Sequence, residues 1–145
     1  HGYQQVLWLD GPERKYVDEV GAMNIAFVQK NGDIQTPMLT GAILRGITRE
    51  SLKELGPATG HSFIERRITI DEVIKGLSDG SITEIFGMGT GAVIAPVGRF
   101  HYQGNEIIVG DGQPGPVASL LYQELIALQY GNKVDKFGWV QSIKV

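Results

Sequence analysis

Three glycine-bearing turns interrupt this chain, and any fold it adopts must bring short elements together around them: Glu19-Val20-Gly21-Ala22-Met23-Asn24, Leu44-Arg45-Gly46-Ile47-Thr48-Arg49 and Phe86-Gly87-Met88-Gly89-Thr90-Gly91. Apolar runs at Gln4 to Leu9, Tyr16 to Val20 and Asn24 to Lys30 read as strands, with Asp10-Gly11-Pro12-Glu13 as a turn. Asn31-Gly32-Asp33 carries a hairpin signal into a strand near Ile34 to Thr36, which suggests antiparallel sheet. Thr48 is placed to cap a helix from Arg49 to Leu55 that Gly56-Pro57 would end. Ser62 to Ile68 reads as a strand, and Thr69 precedes a helix from Ile70 to Leu77 stopped near Asp79-Gly80.

Beyond the third turn, Ala92 to Val97 and Gly98 to Tyr102 read as strands, and Gln103-Gly104-Asn105 turns the chain into Glu106 to Val109. Pro114 to Pro116 lead into the longest helix, Val117 to Tyr130, with Val117, Leu120, Leu121, Leu125 and Leu128 as its stripe and Gly131 as its stop. The aromatic segment Lys136-Phe137-Gly138-Trp139-Val140 is apolar enough to dock. Strands dominate without strict alternation, which predicts an α+β layout over a parallel doubly wound sheet. A single domain over residues 1–145 is expected from 145 residues with 42% hydrophobic content.

Charge and composition exclude several classes. A net charge of −3 gives no basic field for nucleic acid or an anionic membrane surface. No apolar run approaches the roughly 20 residues that cross a bilayer, and the chain is expected to be cytoplasmic. The absence of cysteine excludes disulfides and thiolate metal sites. His1, His61 and His101 are too dispersed to suggest a metal site.

Each turn has a plain reading and a chemical one. Gly46-Ile47-Thr48 opens a helix, where free N–H groups and the positive end of the dipole favour a phosphate, although Thr48 could simply be a cap. Gly89-Thr90-Gly91 lets a backbone approach a ligand closely, although turn glycines are common. Glu19 is either a solvated strand end or an acceptor that keeps a pyridine nitrogen protonated.

In order and spacing, these turns resemble the branched-chain aminotransferases of the class IV, fold type IV, pyridoxal 5′-phosphate enzymes. The resemblance also runs through Gln5-Val6-Leu7-Trp8-Leu9-Asp10, Glu65-Arg66-Arg67-Ile68-Thr69 and Gln129-Tyr130-Gly131. It implies a strand-rich pseudo-barrel with flanking helices, as in the C-terminal, large domain of that fold. It further implies that Glu19 partners the pyridine nitrogen and that Leu44 packs on the ring. Gly46, Ile47, Thr48 and Thr90 would hold the phosphate, with Gly21, Ala22, Gly89, Thr90 and Gly91 around the substrate.

The implied reaction is amino transfer between leucine, isoleucine or valine and 2-oxoglutarate, in a homodimer. D-amino-acid aminotransferases and aminodeoxychorismate lyases are related alternatives, and a non-catalytic binding or interaction module of the same fold is another. Two departures stand out: Arg45 where the family usually has proline, and Gly91 where alanine is common. In the family, the Schiff-base lysine and a smaller N-terminal domain precede the strand that Gln5 to Leu9 resembles. Lys15, in the charged turn Glu13-Arg14-Lys15, is no substitute. The chain is therefore expected to be the C-terminal part of a longer enzyme and inactive alone.

Overall fold

The computed structural model describes residues 2–141 and 143. Short strands β1 (Leu7–Leu9) and β2 (Val17–Val20) pair antiparallel, and β2 turns directly into β3 (Asn24–Gln29). β4 (Ile34–Pro37) follows through the Asn31-Gly32-Asp33 turn; Gly32 has φ 90°, a conformation open to glycine without strain. Helix α1 (Ile47–Ala58) then crosses to β5 (Phe63–Arg66), and α2 (Ile70–Asp79) to the long strand β6 (Ile82–Gly89). Strands β7 (Val93–Pro96), β8 (Arg99–Tyr102) and β9 (Asn105–Ile108) precede α3 (Pro116–Gln129).

A five-stranded sheet, in the order β5-β4-β3-β6-β7, forms the centre, with β1-β2 and β8-β9 as separate two-stranded sheets. The central sheet is antiparallel except for β4 and β5, which run parallel because α1 returns the chain to the same edge. The antiparallel pairing expected at the Asn31-Gly32 turn is the one formed by β3 and β4. β6 departs from the expected form: most of the Phe86-to-Gly91 stretch read as a turn is the second half of a buried strand, and only Thr90-Gly91-Ala92 turns. Glycines at 87 and 89 disguise the strand, because Met23 occupies the space that side chains there would take.

The central sheet separates two cores. Ala26 and Val28 of β3 face α1 and α3 beside Phe86, Met88, Leu52 and Leu121. Ile25 and Phe27 face the other way, toward β2, α2 and the β8-β9 ribbon. This alternation is the period of two that a strand imposes. A register shift between Val28 and Gln29, opposite Glu84 and Ile82, breaks the period, so Ile82 joins Ile85 in the second core, while Glu84 keeps the alternation with Phe86 and Met88.

Buried Glu84 there accepts from the N–H groups of Val117 (3.0 Å) and Ala118 (2.9 Å), capping α3 from the sheet. Thr69 and Glu72 form a reciprocal capping box on α2, and Gly80 ends that helix in the left-handed region. Phe137 and Trp139 stack at 4.3 Å and pack against the first core, so the aromatic C-terminal segment is docked.

α1 differs from its expected form. Gly46, with extended backbone angles, is the N-cap, Thr48 lies inside the first turn, and the helix continues through Gly56-Pro57 to Ala58. Pro57 is tolerated because it sits in the final turn, where its missing N–H forfeits one hydrogen bond, and the Thr59 N–H closes onto Leu55 and Gly56.

Candidate functional site

Strand register gathers the three turns at one end of the central sheet. Asn24, the first residue of β3, lies opposite Met88 near the end of β6, so the Gly21-Ala22 turn before β3 and the Thr90-Gly91 turn after β6 are neighbours. β4 runs antiparallel to β3 and leaves the sheet at Pro37 on that same end, sending the chain toward α1.

The first turn is a tight hairpin. Val20 and Met23 exchange both backbone hydrogen bonds at 2.9 Å, and Gly21 takes φ 56°, the geometry that the first central residue of such a turn needs. β1 clasps it: the Gly21 N–H donates to the Val6 carbonyl (2.8 Å), and the Trp8 indole N–H donates to the Gly21 carbonyl (2.9 Å). Ala22 at the tip is exposed.

Glu19, half-buried near the end of β2, does not stand as a free strand end. Its Oε1 accepts from the Leu44 N–H at 3.2 Å and faces the Asn24 amide at 3.5 Å. Asn24 Nδ2 also donates to the Leu44 carbonyl at 2.9 Å. A side chain at position 46 would collide with Asn24 Oδ1, so glycine there permits the contact between β3 and the start of α1. A carboxylate and a helix N-terminus are thus held together by one buried amide.

At that N-terminus the first intrahelical bond runs from the Glu50 N–H to the Gly46 carbonyl, and the N–H groups of Ile47, Thr48 and Arg49 precede it. Ile47 is 71% exposed, Leu44 is 76% exposed and Thr48 is buried. Two large apolar side chains therefore stand in the open beside a positive helix end. Thr90 and Gly91 are exposed at the third turn, Gly89 is half-buried against Met23, and Val93 closes the turn at φ 61°. That angle is strained for a β-branched residue.

Behind the helix end lies a chain of ion pairs. Arg45 binds Glu50 at 2.8 Å, Glu50 binds Arg49 at 2.8 Å, Arg49 binds Glu65, and Glu65 binds Lys53. Arg49 is fully buried, donates to the Pro37 carbonyl at 3.2 Å, and leaves its Nε without a partner. The Lys53 ammonium, then the Arg49 guanidinium, hold the Glu65 carboxyl below its ordinary range, and the Arg45 guanidinium does the same to Glu50. Arg45 is thus engaged with Glu50 while remaining largely open to solvent.

Two clefts, of about 220 and 330 Å³, lie elsewhere, and neither is lined by Glu19, Thr48 or Thr90. The larger runs between the Asp10-to-Asp18 segment and Pro37 to Ile43, where burial, then the nearby Asp10, pushes the Asp18 carboxyl up. Lys15 lies 5.5 Å from the Tyr16 ring, away from the turns' hydrogen bonds. His61 contacts the Gly32 carbonyl and His101 stacks on Tyr3, while His1 lies outside the described residues.

Sequence reasoning places Asn24 and Arg49 in motifs, and Arg49 at the start of a helix, but assigns neither a role in the site. Asn24 carries a usable signal: a polar residue opening the apolar run Ile25-Ala26-Phe27-Val28 must be buried and partnered. Arg49 carries none, because its partners Glu65 and Pro37 are distant in the chain.

The arrangement has close counterparts. Residues 1–100 match the model of the class IV amino-transferase family. A probable branched-chain-amino-acid aminotransferase of Staphylococcus epidermidis is 49% identical over 138 residues, covering 95% of this chain and 38% of that protein. Branched-chain-amino-acid aminotransferase 2 of Bacillus subtilis is 48% identical over 142 residues, covering 98% and 39%.

Among solved structures, the branched-chain amino acid aminotransferase of Escherichia coli superposes with a TM-score of 0.79 at 33% identity, over 96% of this chain and 41% of that one. A second solved branched-chain amino acid aminotransferase, from T.th. and with pyridoxamine 5′-phosphate, gives 0.79 at 29% identity, over 95% and 41%. The chain spans about two fifths of the length of these proteins. With a family match running from β1 through β7 and the same fold in the solved relatives, the chain belongs to the class IV aminotransferases.

Proposed function

We propose that these 145 residues form the C-terminal, cofactor-binding domain of a branched-chain amino acid aminotransferase that transfers the amino group of leucine, isoleucine or valine to 2-oxoglutarate. The observation that carries this reading is the Glu19–Asn24–Leu44 linkage, which ties a half-buried carboxylate to the free N–H groups that open α1. A pyridine phosphate carries a basic ring nitrogen at one end and a dianion at the other, and this pairing of groups suits both. Pyridoxal 5′-phosphate, when bound, supplies an electron sink for the bond broken at the substrate α-carbon.

The residues' own tasks follow from their placement. Glu19 holds a proton at the ring nitrogen, and its hydrogen bond from Leu44 fixes which oxygen faces the ring. The N–H groups of Gly46-Ile47-Thr48, with the Thr48 and Thr90 hydroxyls, hold the phosphate. Leu44 covers one ring face, which accounts for an apolar side chain left so exposed. The Gly89-Thr90-Gly91 backbone receives the substrate carboxylate, and Gly21-Ala22 borders the pocket for its side chain. An apolar pocket of this kind separates side chains differing by one methylene by roughly 10- to 200-fold.

The lysine that joins the cofactor, and the opposite wall of the pocket, are read as belonging to residues outside this segment. Lys53 and Lys133 are engaged with Glu65 and Glu124, and Lys15 with Tyr16. These residues by themselves should catalyse no transfer. The complete enzyme is read as a cytoplasmic homodimer.

A coupled assay on the complete protein tests the proposal. Leucine, isoleucine and valine should each donate to 2-oxoglutarate, and far better than D-alanine or aspartate. Preference for a D-amino acid, or no transfer by the complete protein, would contradict it.

A further inference from the structure

Asn24 touches more of the site than any residue assigned a task above. Its side chain is buried at 5% exposure on β3, faces Glu19 Oε1, donates to the Leu44 carbonyl, and lies against Gly46 so closely that no larger residue fits there. Its backbone pairs with Met88, one residue before Gly89. A buried primary amide has two N–H donors to satisfy, and both nearby acceptors belong to the site. Neither Glu19 nor Leu44 is otherwise tied to β3 by a side chain among the described hydrogen bonds.

We infer that Asn24 is a positioning residue that locks the Glu19 carboxylate and the Leu44–Gly46 segment in one register, so that both ends of a single pyridine phosphate are met together. The inference rests on the reading of the site given above. Asn24 does not touch the cofactor in this account; it acts through Glu19 and through the start of α1. A purely structural asparagine would stabilise the sheet without caring what stands at position 19.

A double-mutant cycle separates these roles. Pyridoxamine 5′-phosphate is titrated into the complete protein and into its Asn24→Leu, Glu19→Gln and doubly substituted forms, with thermal unfolding followed in parallel. Asn24→Leu is close to the asparagine in size, adds no charge beside Glu19 and removes the N–H donors. It should weaken pyridoxamine 5′-phosphate binding about tenfold, the scale of a lost hydrogen bond to a charged or buried acceptor. On the Glu19→Gln background the same change should cost about twofold, a coupling well beyond the additivity error of separate sites.

Equal losses on both backgrounds, or no loss on either, would overturn the inference while leaving the site's reading intact. Failure of the unsubstituted protein to bind pyridoxamine 5′-phosphate would overturn that reading itself, and the inference with it. Should Asn24→Leu fail to fold, Asn24→Ser carries the same cycle with the same expected coupling.

Discussion

In the proposed function, Glu19 is the residue on which the chemistry turns. A carboxylate at the end of a two-stranded ribbon would ordinarily be solvated, yet here it receives the Leu44 N–H from a loop 25 residues away. In the complete enzyme, Glu19→Gln keeps the shape and removes the charge that holds a proton on a ring nitrogen. Turnover with leucine should fall on the order of 100-fold with little change in KM, as expected for a group that acts on the transition state. Near-normal turnover would remove Glu19 from the mechanism. Gly46 is constrained at the same scale. Gly46→Ala would drive a Cβ into Asn24 Oδ1 and should weaken phosphate-dependent binding of pyridoxamine 5′-phosphate, whereas Gly91→Ala, which meets open space, should leave binding unchanged.

Among elements, α1 is the one most tightly tied to the site. Its first turn is anchored by Arg49, fully buried and shared between Glu50, Glu65 and the Pro37 carbonyl. Arg49→Ala empties a fully buried site and deletes the hydrogen bond to Pro37 and the bonds to Glu50 and Glu65, so it should cost about 3 kcal/mol in chemical denaturation. A loss under about 1 kcal/mol, typical of surface pairs, would show the cluster to be incidental. Thr69→Ala, which breaks the α2 capping box far from the site, should cost about 1 kcal/mol and leave ligand binding unchanged.

Elements differ in how openly the sequence declares them. The α2 cap and stop, the Asn31-Gly32 turn and the α3 stripe are local signals, and each is readable. β6 is hidden because Gly87 and Gly89 look like turn residues until Met23 is known to fill their space. The parallel β4-β5 pair depends on where α1 returns the chain, which no local pattern encodes. The same division holds at the candidate site: Glu19, Gly46 and Thr90 are candidates that type and spacing single out, while the Arg49 cluster is assembled only by the fold.

For the molecule as a whole, charge sets the response to acid. Asp10, held down chiefly by the Tyr16 N–H, and Glu50 and Glu65, held down by basic neighbours, all have folded-state pKa values below their ordinary 3.8 and 4.5. A depressed pKa contributes stability that is fully present above the ordinary value and is lost as pH falls through the folded one. Asp18, raised by burial, works in the opposite sense but is a single group. The melting temperature should hold from pH 7 to about 5 and then fall steadily toward pH 3. A flat or rising profile below about pH 4.5 would show that these contacts contribute nothing to stability.

At the same scale, three turns distant in sequence share one end of one sheet, and the proposed function requires a single ligand to engage all of them. A crystal structure of the complete protein with pyridoxamine 5′-phosphate tests this most directly. The ring nitrogen should lie about 3 Å from a Glu19 carboxylate oxygen, with the phosphate on the N–H groups of Ile47 and Thr48. A ligand bound in another cleft, or with its ring nitrogen turned away from Glu19, would contradict the account.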